Sequence, residues 1–362
     1  MAKFHFDNIC IDGIACAVPA WKLSVTSFYD SFGEKVVDDF IKMTGVKEVY
    51  RAIEEQTASD LCFIAAEKLL EANGIERNRI DAVVFVSQSP DYRLPATACV
   101  LHCRLDLKKD CMAFDVGLGC SGYVYGIQML SALLQNSDME CGLLMVGDTA
   151  SKQNSPQDKS LCMMFGDAGT ATLLRKVADV HSFNAELMTN GKGFKNIIMP
   201  SGAYRNRMGS SERTMWGDEN IRSDYDGVMN GTDVFSFSIR EAPAIIKRFM
   251  TEHSKTFDDY EALVLHQANL YMMQQIAKKC KCPMEKVPIT LDRYGNTSSA
   301  AIPTTLTDHF HKGYEKREIE VLASGFGVGL SWGVMNMHLN TDKILPIIHT
   351  DDYFTEGGVS HD

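Results

Sequence analysis

The sequence has little positive charge. Its 36 Lys and Arg are outnumbered by 47 Asp and Glu, giving a formal net charge of −11. General binders of nucleic acid or of anionic membrane surfaces carry a basic excess, so both classes are set aside. No apolar run is long enough to span a bilayer. The opening Met1-Ala2-Lys3-Phe4-His5-Phe6-Asp7 carries no secretory signal. The 11 cysteines are odd in number and form no paired framework. Cys280 and Cys282 are too close for a CxxC motif, and no second pair with metal-ligand spacing follows. These absences argue against a disulfide scaffold or a zinc site, and the expected setting is reducing and cytoplasmic. What remains is ordinary for a globular protein: 362 residues, 45% hydrophobic and 23% charged. That length allows a large core and two to three domain-sized units.

The stretch Asp115-Val116-Gly117-Leu118-Gly119-Cys120-Ser121-Gly122 organises the chain. Apolar Met112-Ala113-Phe114 reads as a buried strand leading in, and Gly117 and Gly119 supply a turn. Ile127, Met129, Leu130, Leu133 and Leu134 then recur at roughly helical spacing. Cys120 therefore stands at a strand-to-helix elbow, where helix N–H groups and the helix dipole are expected to lower a thiol pKa. The competing reading is a buried structural cysteine.

Elements on either side suggest a duplicated α/β unit. The apolar strand Asp81–Ser87 is answered by Tyr260–Leu265, and Cys141–Gly147 by Val321–Gly327. The Phe114–Cys120 elbow is answered by the Leu291–Asn296 turn, which follows an expected strand Val287–Leu291 and contains Gly295-Asn296. A strand is also expected in Met163–Phe165, and the stretch from about 191 to 231 reads as a long irregular excursion. Met199 and Met229 are candidates for a pocket wall. The expected organisation is a half at residues 1–178 carrying the nucleophile, a half at 179–340, and a tail at 341–362 that is mobile beyond Ile344–Ile348. Strand ends bearing Cys120, His266 and Asn296 would converge at the junction of the halves. Taken singly, His266 reads as a satisfied core histidine and Asn296 as a turn residue.

Together, Cys120 in its elbow, His266-Gln267-Ala268-Asn269, Gly295-Asn296-Thr297-Ser298 and Gly325-Phe326-Gly327-Val328-Gly329-Leu330-Ser331-Trp332-Gly333 resemble ketoacyl-acyl-carrier-protein synthase III, of the thiolase-like superfamily. The resemblance runs with gaps from about Ile9 to Met337. It implies a five-layer αβαβα fold with pseudo-twofold related halves, a homodimer, and no cofactor or metal. It also implies a decarboxylative condensation. Cys120 would accept an acyl group from acyl-CoA or acyl-carrier protein. His266 and Asn296 would stabilise the enolate of a malonyl group on a carrier protein's phosphopantetheine arm. The N–H groups of Cys120 and Val328 would hold the tetrahedral oxyanion. Asn269, Leu94 and Lys159 fall at further substrate-binding positions, Leu94 reaching into a partner's acyl pocket.

The chain departs from the family at its coenzyme A clamp. Met43 occupies an arginine's place, only Phe40 stands near a tryptophan's, and Lys159 replaces a second arginine. Tyr271 replaces an arginine used for carrier docking, while Lys278 and Lys279 are kept. The Ser87–Pro95 loop offers only Asp91 as an extra carboxylate base, which argues against acetoacetyl-condensing relatives. Phe165-Gly166-Asp167-Ala168-Gly169 is read as structural, with Asp167 pinning a tight connection. Two other functions remain open: a non-condensing acyltransferase using acyl-Cys120, and a catalytically silent subunit that shapes a partner's pocket.

Overall fold

The computed structural model describes residues 2–178 and 180–355. Residues 356–362 of the expected tail, with Gly357 and Gly358, lie outside the described residues. The core strands are β1 (Ala2–Phe6), β2 (Ile9–Pro19), β3 (Ala82–Val86), β4 (Met112–Val116), β5 (Cys141–Asp148) and β6 (Ala168–Lys176). They continue as β7 (Phe183–Thr189), β8 (Ala262–Leu265), β9 (Glu318–Gly327), β10 (Ser331–Asn340) and β11 (Ile348–Thr350). The main helices are α1 (Glu34–Thr44), α2 (Ala58–Asn73), α3 (Thr97–Arg104), α4 (Gly122–Gln135), α5 (Gly231–Glu252), α6 (Leu270–Cys280) and α7 (Ala301–His309).

Two mixed sheets result. One has the order β11-β2-β6-β5-β3-β4, the other β1-β7-β10-β9-β8. In the first, β3 runs parallel to β4 and β5, while β6 is antiparallel to β5 and β2. In the second, β8 is parallel to β9, and β9, β10 and β7 are antiparallel in turn. The series β2-β6-β5-β3 thus matches β7-β10-β9-β8 in both order and direction. The fold is the duplicated thiolase-like αβαβα arrangement. Helices α2 and α3 cover the outer face of the first sheet, α5 packs with α6 outside the second, and α4 and α7 lie between the sheets.

The residues explain this layering. Every residue of β3, β5 and β8 is buried, as expected of strands covered on both faces. One apolar cluster joins Val84, Val86, Val124, Ile127, Val264, Ile302 and Val321 across the middle layer. At α2, Thr57 and Asp60 form a capping box and Gly74 ends the helix in the left-handed region.

The structure corrects three expectations. Val287–Leu291 is not a strand. Pro288 has no N–H to give a ladder, and the Gln267 side chain serves this backbone instead: Oε1 accepts from the N–H of Thr290 at 3.0 Å and Nε2 donates to the Pro288 carbonyl at 3.3 Å. Met163 and Met164 lie in a turn, and Phe165 forms an isolated bridge with Asn296 rather than a strand. The Asn296 N–H donates to the Met164 carbonyl at 2.9 Å. The tail is docked beyond Ile348. β11 pairs with β2, the Phe354 ring packs edge-on against Phe63 at 4.6 Å, and its N–H donates to Asp60.

Among the described residues no helix is long and apolar enough to cross a membrane. All eleven cysteines are free thiols.

Candidate active site

A cavity of about 720 Å³ opens where the ends of β4, β8 and β9 meet the Asn296 loop, and Cys120, His266 and Asn296 all line it. The three residues that the sequence separates by up to 176 positions therefore face one space. Val328 and Asn269 line it too, as do Met199, Met229, Phe40, Met43 and Tyr271.

Cys120 stands two residues before the first residue of α4. It is partly open to the cavity, yet the protein around its sulfur is dense. Burial pushes the thiol up to about 11, with the charge of Asp148 adding to the rise. The backbone N–H groups of Val328 and of Cys120 itself offset part of this. The expectation of a lowered pKa is thus reversed: desolvation outweighs the helix terminus. The same two N–H groups are the pair that the resemblance assigns to an oxyanion.

Gly327 makes their approach possible. It has φ +156°, and a Cβ placed there would sit 2.6 Å from the Cys120 sulfur. The turn is held down by a hydroxyl relay: Ser121 Oγ lies 2.7 Å from Ser331 Oγ, which donates to the Val328 carbonyl at 2.8 Å.

His266 follows β8 directly, and its N–H donates to the Ser324 carbonyl at 2.9 Å. Burial drops its pKa to about 3, so the ring is a neutral imidazole across the physiological range. Nδ1 is buried without a hydrogen-bond partner of normal geometry among the described residues, and the nearby Ser298 backbone offsets burial only in part. The Phe326 ring stands perpendicular to the imidazole at 5.6 Å.

Asn296 is oriented by its own loop. Oδ1 accepts from the Ser298 N–H at 2.9 Å, which assigns the amide NH₂ to the other side. Ser298 holds φ +52°, uncommon for a residue with a side chain. Gly295, at φ +65°, lets the loop run against Met164, whose carbonyl would lie 2.7 Å from a Cβ there.

Among the described residues, the cavity lining includes no Lys, Arg, Asp or Glu. Two candidates lie outside it. Leu94 is 75% exposed, and Lys159 pairs with Glu219 at 3.6 Å. Asn269 is committed through Oδ1 to capping α6, where it accepts from the Met272 N–H at 2.7 Å. Asp91 also lies outside the lining, engaged by Ser59 at 2.7 Å and by Arg104 at 3.6 Å. Asp167 is fully buried and accepts from the Ala52 N–H at 2.8 Å and the Ser151 hydroxyl at 2.6 Å, a pinning role.

Asp148 has no part in the sequence argument, yet it ties the site together. One oxygen accepts from the Gln88 N–H at 2.7 Å and Ser87 Oγ at 3.0 Å, the other from Ser299 Oγ at 2.6 Å. It thereby joins the end of β3 to the Asn296 loop. An acid closing an otherwise apolar strand was the available signal, since a buried carboxylate must be well partnered.

Two family profiles match the chain. The profile described as 3-oxoacyl-[acyl-carrier-protein (ACP)] synthase III covers residues 114–191, and that of its C-terminal part covers residues 250–339. A putative 3-oxoacyl-[acyl-carrier-protein] synthase 3 of Campylobacter jejuni is 34% identical over 353 residues, covering 95% of this chain and 98% of its own. The chain belongs to the 3-oxoacyl-[acyl-carrier-protein] synthase III family. As a member it is an acyl-transferring condensing enzyme. A beta-ketoacyl-[acyl-carrier-protein] synthase III of Xanthomonas campestris is 31% identical, covering 82% of this chain and 88% of its own. The crystal structure of a 3-oxoacyl-(acyl-carrier protein) synthase from Burkholderia xenovorans superposes with a TM-score of 0.91 at 36% identity, covering 96% of this chain and 99% of that one.

Proposed function

We propose that the protein condenses an acyl group held on Cys120 with a malonyl thioester carried by acyl-carrier protein, in fatty-acid or related acyl-chain biosynthesis. The observation that carries this reading is the shared, uncharged cavity faced by Cys120, His266 and Asn296.

In the first step the Cys120 sulfur attacks the thioester carbonyl of the donor. A new S–C bond forms, the donor's C–S bond breaks, and the departing thiol takes up the proton that Cys120 gives. The N–H groups of Cys120 and Val328 are suited to hold the oxyanion between these events. In the second step the malonyl C–C bond breaks and carbon dioxide leaves. The electron pair passes into an enolate, whose oxygen accepts from neutral His266 and from the Asn296 NH₂. The carbanion attacks the acyl-Cys120 carbonyl, a C–C bond forms, and the released Cys120 thiolate is reprotonated. Two neutral donors in an apolar cavity suit a charge that exists only during reaction, because they need no solvent rearrangement.

The halves 1–178 and 179–340 are proposed as two evolutionary units, although β1 joins the second sheet and β11 the first. A homodimer would give the exposed Leu94 a partner, and sedimentation velocity tests that assembly. Eleven free thiols suit a cytoplasmic setting. The functional test is intact-mass analysis after incubation with acyl thioesters. Wild type is expected to gain one acyl group, and Cys120→Ala none. Acylation of Cys120→Ala at the wild-type rate contradicts the reading. Acylation of wild type followed by acyl transfer without release of carbon dioxide would indicate the non-condensing acyltransferase instead.

A further inference from the structure

Coenzyme A thioesters and carrier-protein thioesters share the pantetheine arm and differ in what lies beyond it. Coenzyme A ends in a 5′-diphosphate and a 3′-phosphate on adenosine, whereas a carrier protein ends in one phosphodiester and its own surface. An enzyme that selects the nucleotide needs cations or aimed N–H groups where those phosphates come to rest.

This cavity offers no such cation. Its lining has no Lys or Arg from Cys120 to the mouth. Of two neighbouring lysines, Lys152 is committed, donating to the carbonyls of Glu54 and Gln56 at 2.6 and 2.8 Å, and Lys159 lies outside the lining, 3.6 Å from the exposed Glu219. Lys42 is exposed and lies outside the lining. Buried Arg222 is held by Asp158 and Asp218. The rim is instead apolar and open: Met43 is 61% exposed, Met199 43% and Tyr271 49%. One face of the Tyr271 ring is stacked on Phe235 at 5.6 Å. Exposed apolar side chains clustered at a cavity mouth fit a protein surface better than a polyphosphate.

We propose that the acyl donor, like the malonyl donor, reaches Cys120 on a carrier-protein pantetheine arm, and that the nucleotide of coenzyme A contributes nothing to recognition. This rests on the acyl-Cys120 reading above. The arm and thioester thread a neutral cavity, and selection against coenzyme A follows from the missing phosphate contacts.

The test is the rate of Cys120 acylation, read by intact mass, with three donors bearing the same butyryl group: S-butyryl pantetheine, butyryl-CoA and a butyrylated type II acyl carrier protein. Exposed charge contacts are weak, so butyryl-CoA is expected to stay within about tenfold of the pantetheine thioester. The carrier-protein thioester is expected to exceed both by about tenfold or more. Met43→Arg, which supplies a rim cation, is expected to raise the ratio of the butyryl-CoA rate to the S-butyryl pantetheine rate. Butyryl-CoA outrunning butyryl pantetheine by more than about tenfold overturns the proposal, because the nucleotide would then be recognised. So does a carrier-protein thioester slower than butyryl-CoA. Absence of acylation by all three donors would instead overturn the acyl-Cys120 reading itself.

Discussion

A thiol that burial holds near 11 is almost wholly protonated at neutral pH, so Cys120 is not a permanently armed nucleophile. Its alkylation by iodoacetamide is expected to climb with pH towards about 11, without the neutral plateau of a low-pKa cysteine. A plateau near pH 7 in a rate profile would contradict this. Asp148 raises the thiol pKa through its charge, so Asp148→Asn is expected to shift that profile to lower pH. Gly327 admits no side chain beside the sulfur. Gly327→Ala is therefore expected to slow acyl-enzyme formation by on the order of 10²-fold, the scale of a misplacement near 1 Å. A stopped-time intact-mass series measures it, and a wild-type rate would show that the turn relaxes freely.

The elements supply position. The segments around His266 and Asn296 are tied down by side chains rather than by a ladder. Gln267 replaces strand pairing for Pro288–Leu291, Asn269 caps α6 behind His266, and Asp148 joins β3 to the Asn296 loop. Asn269→Ala is expected to cost about 0.5–2 kcal/mol in a denaturant melt. Asp148→Ala strips several partners at once and is expected to cost on the order of 3 kcal/mol. Here the limits of sequence reading show. Buried strands such as Ala82–Val86 and Ala262–Leu265 are legible because their apolar runs have one purpose. Val287–Leu291 is apolar too, but the Thr290 N–H goes to the side chain of a glutamine 23 residues away, and periodicity cannot register that. The lowered thiol pKa expected of the elbow failed for a related reason. Helix position is a local property, whereas desolvation depends on every element packed around the sulfur.

At the scale of the whole molecule, the order of motifs made the thiolase-like fold and the meeting of Cys120, His266 and Asn296 at one cavity readable in advance. The docking of β11 and Phe354 was not readable, because a short polar tail gives no sign of where it lands. Buried titratable groups set the pH limits of the fold. His266 falls from 6.5 to about 3 on burial. Between those values the unfolded chain binds the proton and the folded one does not, so stability is lost as pH falls through this window. His266→Gln is expected to flatten that acid loss in a pH series of thermal melts. Cys16, Cys141 and Cys162 are raised from 9.0 to about 12, so stability is lost in the opposite direction as pH rises from 9 towards 12. The most direct test of the central claim is a single turnover: enzyme acylated on Cys120 is mixed with malonyl-carrier protein, and carbon dioxide is counted against acyl-enzyme consumed. The account predicts one equivalent from wild type. From His266→Ala and Asn296→Ala, each able to load the acyl group, it predicts release slowed by about 10²-fold or more. Release from both variants at the wild-type rate would contradict it.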